Sequence, residues 1–308
     1  MSEARITLRR VARTYGPLSE SVWRDAILLP GHDDLFESLA TEIAEFLGIS
    51  PSSARTAMLT AWESRIDTPR AGFPSVVTRE SLAEYYAGGT NGLLVTAYWH
   101  SLRPDRYALH GVAALHATQM YGDGPRVFEV GHGIGSTGLL FAQHGMEMTL
   151  GDVSDEYAAF AKQRFEQRGV SAEFVDLRSG YPPPESYDVV LSLDVIEHVF
   201  EPLDLVREML RTLRPGGLLV ANVAYGRDPE VPEHLLHRRR GFEDRLRTLG
   251  LEPIPHPTLD VFWLRTPKRW ERPIRRGQDF LNAAWLDVAN RYPRLRRLVR
   301  RTGLPPLG

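Results

Sequence analysis

The sequence predicts an α/β fold: a mostly parallel sheet of seven strands with helices on both faces, preceded by a helical region. Three observations predict it. From Pro125 onward, short apolar runs alternate with helical patterns, which is how parallel strands joined by crossover helices read. The first of these runs ends in a cluster of glycines that opens a helix. The last two runs lie close together in the chain, as an antiparallel closing pair does.

The elements follow in order. Asp33-Asp34 precede LFESLATEIAEFLG, whose apolar residues recur at helical spacing up to a Gly stop. Ser50-Pro51 open a second helix, because Ser caps well and Pro suits a first helical turn. SLAEYYAGG, NGLLVTAYWHSL and PDRYALHGVAALHATQMYG predict three more helices. RVFEV (126–130) is the first strand, short, apolar and Gly-bounded. Strands follow at 146–150, 172–176, 187–193 and 217–223, with helices at 136–144, 154–168 and 202–213 between them. A helix at 242–250 leads to LEPIPHP and LDVFWLRT, the closing pair. Three segments result: a helical lid over 1–120, an α/β domain over 121–268 and a basic helical tail over 269–308.

Composition narrows the function classes. The 308 residues contain no cysteine, so thiol nucleophiles, thiolate metal sites and disulfides are excluded. No apolar run approaches the roughly 20 residues of a membrane span, and no apolar stretch follows the N-terminal arginines as a secretory signal requires. These readings predict a cytoplasmic protein. A net charge of −2 gives no general attraction to nucleic acid. From Arg265 to Gly308, however, 12 Arg/Lys face 3 Asp/Glu. Such a tail can touch an anionic membrane surface weakly, but it lacks the broad apolar face of a firm anchor.

The strongest local signal is Val127-Phe-Glu-Val-Gly-His-Gly-Ile-Gly-Ser136. Glycines allow a tight turn and close approach of a ligand to the backbone. The carboxyl ends of the strands are where open α/β sheets bind ligands. Asp152, at the end of the next strand and 21 residues after Gly131, can accept hydrogen bonds from both hydroxyls of a ribose. This much is a nucleoside site. Gly133 to Gly138 also satisfies G-x-G-x-x-G, so a dinucleotide stays open at this point.

Downstream come Tyr187-Asp-Val-Val-Leu-Ser-Leu-Asp194-Val-Ile-Glu197-His198-Val199 and then Leu213-Arg-Pro-Gly-Gly-Leu-Leu-Val220. In order and spacing these resemble the Rossmann-like class I S-adenosylmethionine (SAM) dependent methyltransferases, especially the branch of the ubiquinone-biosynthesis O-methyltransferases. A nicotinamide-dependent oxidoreductase leaves both stretches unexplained. The resemblance implies SAM as cofactor and S-adenosylhomocysteine (SAH) as product. It implies that Glu129, Gly131, Gly133 and Gly135 surround the methionine half, that Asp152 holds the ribose, and that Asp176 and Leu177 meet the adenine. Leu193 and Asp194 are expected at the mouth of the fourth strand, beside the cofactor. His132 departs from the family, which more often has a small residue there.

The expected reaction is methylation of a small molecule, with a hydroxyl oxygen favoured and nitrogen or carbon open. A non-catalytic SAM-binding protein is a further alternative. His198 is the candidate base, since imidazole titrates near neutrality, and Glu197 its candidate partner. His234 and His237 are candidates for acceptor contact, as are Tyr98 and Trp99 in the lid; Tyr85, Tyr86 and His100 lie nearby. Glu197, His198, His234 and His237 offer a ligand set a divalent metal accepts, but spacing establishes no site and no metal is assigned.

Overall fold

A computed structural model describes residues 19–67, 72–87, 89–102, 104–225, 233–235, 239–256 and 259–264. His237 and the basic tail over 269–308 lie outside the described residues.

Residues 19–27 are helical (α1). Helices α2 (Leu35–Leu47), α3 (Pro51–Asp67), α4 (Arg79–Ala87), α5 (Thr90–Leu102) and α6 (Pro104–Tyr121) follow. The side chain of Asp34 caps α2 by accepting from the Glu37 N–H, and Gly48 ends it in the left-handed conformation. Then come β1 (Arg126–Val130), α7 (Ser136–Gln143), β2 (Glu147–Asp152), α8 (Asp155–Gln167), β3 (Glu173–Asp176) and β4 (Tyr187–Leu193). A short 3-10 turn (Ile196–His198), α9 (Pro202–Thr212), β5 (Leu213–Asn222), α10 (Arg239–Thr248), β6 (Leu251–Ile254) and β7 (Asp260–Leu264) complete the described chain.

The seven strands form one sheet in the order β3-β2-β1-β4-β5-β7-β6. The first five are parallel, and β7 runs antiparallel to β5 and β6. Strand order reverses between β1 and β4, which opens a crevice at their carboxyl ends. Alternate residues serve opposite faces. Val127, Val189, Leu191, Leu218 and Val220 join a core with α1, α6 and α7. Phe128, Val190, Leu219 and Ala221 join another with Val206 and Met209 of α9 and Phe242 of α10.

The fifth strand starts earlier than the sequence pattern predicts. Leu213 already pairs with Tyr187, and the next paired residues are Leu218 and Val189. Arg214 to Gly217 therefore bulge out of the ladder, with Gly216 at φ +82. Pro215 has no N–H to give a ladder, which suits it to a bulge.

A third core joins the N-terminal helices to the α/β layer. Leu39, Ile43, Met58 and Leu93 pack with Ile134, from the glycine-rich turn, and Phe160 of α8. A buried ionic knot reinforces it. Arg164 Nε donates to Glu42 Oε2 at 2.7 Å, and Arg168 Nη2 to Glu42 Oε1 at 2.7 Å. Burial pushes the Glu42 carboxyl up, but the two arginines outweigh it and hold the group below its usual range. Among the described residues no helix is long and apolar enough to cross a membrane.

Candidate active site

The glycine-rich turn leaves β1 under close steric control. The Gly131 N–H donates to the Gly151 carbonyl at 2.7 Å, which ties the turn to the end of β2. Gly131 has φ +74, and a Cβ there would stand 2.5 Å from Cγ2 of Val195. Gly133 is left-handed too, at φ +50, yet a Cβ on it would meet nothing within 4 Å. The backbone thus borders open space at Gly133 and a wall at Gly131. From behind, Arg164 Nη1 donates to the Ile134 carbonyl at 2.7 Å and to Ser136 Oγ at 2.8 Å. Ser136 Oγ lies 2.9 Å from His100 Nδ1.

The open space is a cavity of about 320 Å³ at the carboxyl ends of β1, β2 and β4. Glu129, Gly131, Gly133, Asp152, Leu177, Leu193, Asp194 and His198 all line it. A larger, open hollow of about 740 Å³ lies at the opposite rim of the sheet, beside Arg126, Glu147 and Tyr187 at the starts of their strands. It gathers no comparable set of groups.

Each acid on the cavity wall has a distinct setting. Asp152 Oδ2 accepts from the Gly133 N–H at 2.9 Å, and Oδ1 from the N–H groups of Val153 and Ser154 at 2.7 and 3.0 Å. Three of its roughly four lone-pair positions are thus in use. Asp194 sits at φ +52, a conformation an L residue adopts at a cost. Its Oδ1 accepts from Asn222 Nδ2 at 2.5 Å, and that amide also lies 3.0 Å from His110 Nδ1. Glu129 is 3% exposed and its Oε2 has no hydrogen-bond partner. Burial, and then the Asp152 charge, raise its carboxyl well above the ordinary carboxylate range.

His198 faces the cavity from the turn after β4. Its Nδ1 lies 3.2 Å from the Glu233 carbonyl oxygen and 3.2 Å from the Tyr86 hydroxyl. A carbonyl oxygen only accepts, so Nδ1 carries the proton and Nε2 keeps its lone pair. Burial, and then His234, push the imidazole down to about 4, so the ring is neutral at pH 7. The Glu233 side chain is itself held: Arg65 Nη2 donates to Oε2 at 3.0 Å and Tyr85 OH to Oε1 at 3.1 Å.

Other predicted residues stand elsewhere. Asp176 ends β3 but does not line the cavity; Arg178 and Ser179 take both its oxygens. The Arg178 side chain, first among these, pushes it down to about 2. Gly135 starts α7, off the cavity wall. Tyr98 and Trp99 stack on Trp62 with ring centroids 5.1 and 4.9 Å away, inside the helical layer rather than on the cavity. Glu197 is fully buried behind the wall, with Oε1 accepting from the Ala224 N–H at 2.9 Å and Oε2 without a partner. Burial, and then Asp194, raise its carboxyl to about 8.

His234 packs edge-on to His198 with centroids 5.0 Å apart. Glu197, His198 and His234 each offer a ligand atom, all within 4.8 Å of one another. One carboxylate and two imidazoles suit a first-row divalent cation. His132, the expected departure from the family, is buried on the cavity wall. Its Nδ1 lies 2.7 Å from the Gly133 carbonyl and its ring meets Phe174 edge-on.

A methyltransferase-domain family model matches residues 128–221, the span that carries the turn, Asp152, Asp194 and His198. The chain contains a class I SAM-dependent methyltransferase domain. Within it, the chain is similar to the ubiquinone biosynthesis O-methyltransferase of Pseudomonas fluorescens (strain Pf0-1). Identity is 32% over 97 residues, covering 30% of this chain and 42% of that protein. The enzyme of the same name from Aliivibrio fischeri (strain MJ11) is 27% identical over 127 residues, covering 39% and 54%. The chain thus spans about half the length of the curated relatives it matches. Among solved structures, a SAM-dependent methyltransferase from Aquifex aeolicus overlays with a TM-score of 0.41 and 16% identity, covering 49% of this chain and 87% of that one.

Sequence reasoning missed several groups on the methyltransferase domain's cavity wall. Thr96, Thr137, Tyr157 and Tyr181 line it. Tyr157 follows Asp152 by five residues, and that closeness to a predicted ribose acid is the signal that marks it. Tyr181 follows a glycine in the loop before β4, where nothing in the sequence marks it.

Proposed function

We propose that the chain transfers the methyl group of SAM to a hydroxyl oxygen of a small-molecule acceptor. The observation that carries this reading is one cavity wall bearing both the glycine turn with Asp152 and a neutral His198. The residues present fit the cofactor. The wall carries Glu129, Asp152 and Asp194 and, among the described residues, no Lys or Arg, so it favours a cationic ligand. The orphaned Glu129 oxygen is a further vacancy for a donor. SAM, when bound, supplies a methyl group already activated on a positively charged sulfur.

On this reading Glu129, Gly131 and Gly133 hold the amino-acid end, Asp152 the ribose, and Leu177 and Leu193 the apolar surface. Asp176 is left out of the set. His198 takes the acceptor's proton at Nε2, its ring oriented by the Glu233 carbonyl and the Tyr86 hydroxyl. Calorimetric titration with SAH tests the cofactor half. Asp152→Ala is expected to weaken binding by about 1–3 kcal/mol, the cost of leaving charged hydrogen bonds unmade. A folded wild-type chain that ignores SAH defeats the reading.

The Glu197–His198–His234 cluster favours a second reading, in which these three side chains would hold a divalent cation that would supply Lewis-acid polarisation of the acceptor oxygen. Under either reading His198→Gln lowers kcat by about 10²–10⁴-fold with SAH affinity unchanged. Dialysis against a chelator separates them. Activity that survives chelation supports the free base; activity lost and then restored by a divalent metal supports the cation. Turnover that survives His198→Gln points instead to an acceptor needing no base, such as a neutral amine.

A further inference from the structure

We propose that Glu129 stands in the free protein as a neutral carboxylic acid and releases its proton to solvent when the cationic amino group of the cofactor binds. The inference rests on the SAM reading above and adds to it a proton that must leave for each cofactor taken up.

Four observations carry it. Glu129 lies at the end of β1, 3% exposed, with water kept from its Oε2 and no protein donor in its place. A charged carboxylate so placed lacks the hydrogen bonds that a buried ion needs. The charge that acts on it is of the same sign: the Asp152 carboxylate, at the end of the adjacent strand, disfavours a second negative charge on Glu129. Three backbone N–H groups donate to the Asp152 carboxylate, whereas Glu129 Oε2 has no donor. The Gly138 N–H from α7 favours the charged form of Glu129, but burial outweighs it.

The other groups on the wall do not supply the missing positive charge. Asp194 directly follows β4 and is a further acid. His132 from the turn, His100 from α5 and His198 beyond β4 are the imidazoles, and burial first of all lowers each below its usual value. They are neutral at pH 7 and could only gain a proton. A cationic ligand beside Glu129 is the missing partner. The bond broken is the carboxyl O–H, the proton goes to buffer, and the carboxylate left behind pairs with the ammonium group.

The experiment is calorimetric titration of SAH into the full chain at pH 7 in phosphate, HEPES and Tris. SAH carries the ammonium group without the reactive methyl. The apparent enthalpy should change with the buffer's ionisation enthalpy by an amount equal to about one released proton, and Glu129→Gln should remove that dependence. Where the variant binds too weakly to titrate, the wild-type affinity gives the same answer. It should rise by up to about tenfold per pH unit through neutrality, because the form that binds has lost a proton. Flat or falling affinity, or an enthalpy independent of buffer while SAH binds, overturns the proposal alone. Absence of SAH binding overturns the cofactor reading and the proposal with it.

Discussion

Arg164→Met is expected to lower the stability of the chain by about 1–3 kcal/mol in urea unfolding. That is the range for leaving a buried polar group without its hydrogen-bond partner. Here the charge left behind is Glu42, fully buried in α2. Arg168 remains to offset part of it. The same substitution removes the donors to the Ile134 carbonyl and Ser136 Oγ. A weaker SAH affinity should therefore accompany the lost stability. The double variant Glu42→Met/Arg164→Met should recover neither stability nor affinity, because it strips the buried Arg168 of its carboxylate partner. A loss under about 1 kcal/mol for Arg164→Met would show that water reaches the knot and that it is not the anchor described.

Gly131→Ala is the second large effect. Two costs add. An L residue at φ +74 is strained by about 1–2 kcal/mol. Its Cβ also overlaps Val195, at 2.5 Å, and overpacking of this kind costs about 1–3 kcal/mol. Because the Gly131 N–H holds the end of β2 at Gly151, any relief by backbone movement displaces Asp152 from the turn. SAH affinity should fall by at least tenfold, read by titration against a circular dichroism control for folding. Gly131→Ala/Val195→Ala removes the overlap and leaves the strain, so it should restore part of the affinity. No restoration would place the whole effect in the backbone.

The sheet and most of its helices were legible because their signals are local. Strand β4 reads directly from Tyr187-Asp-Val-Val-Leu-Ser-Leu, and the cap of α2 from Asp34. The start of β5 was not, because Pro215-Gly216-Gly217 has the composition of a turn and only pairing with Tyr187 makes it a bulge. In the candidate site, the glycines, Asp152 and Asp194 follow from position at the ends of strands. Asp176 has that position too, yet Arg178 two residues on claims it, a local competition that resemblance does not foresee. Tyr98 and Trp99 read as bulky, amphipathic candidates for the acceptor or for helix packing, and both rings stack on Trp62 in the helical layer. Arg164 gave no signal at all. Its partner Glu42 is 122 residues away, and a lone Arg on a helix reads as surface.

Ile134 has a consequence for exchanging parts among such proteins. It belongs by sequence to the cofactor's turn and by packing to the helices of the N-terminal region, beside Leu39, Met58 and Leu93. A chimera that cuts before β1 and grafts residues 121–268 onto foreign recognition helices would uncover Ile134, Phe160 and the guanidinium of Arg164 together. The new helices would have to bring a socket for the isoleucine and a buried acid for the arginine, or the turn would lose its backing. The N-terminal helices and the glycine-rich turn are therefore not separable cassettes. Tyr86 of α4 and Thr96 and His100 of α5 line the cavity, so single substitutions there reshape its wall, while α2 travels with the turn.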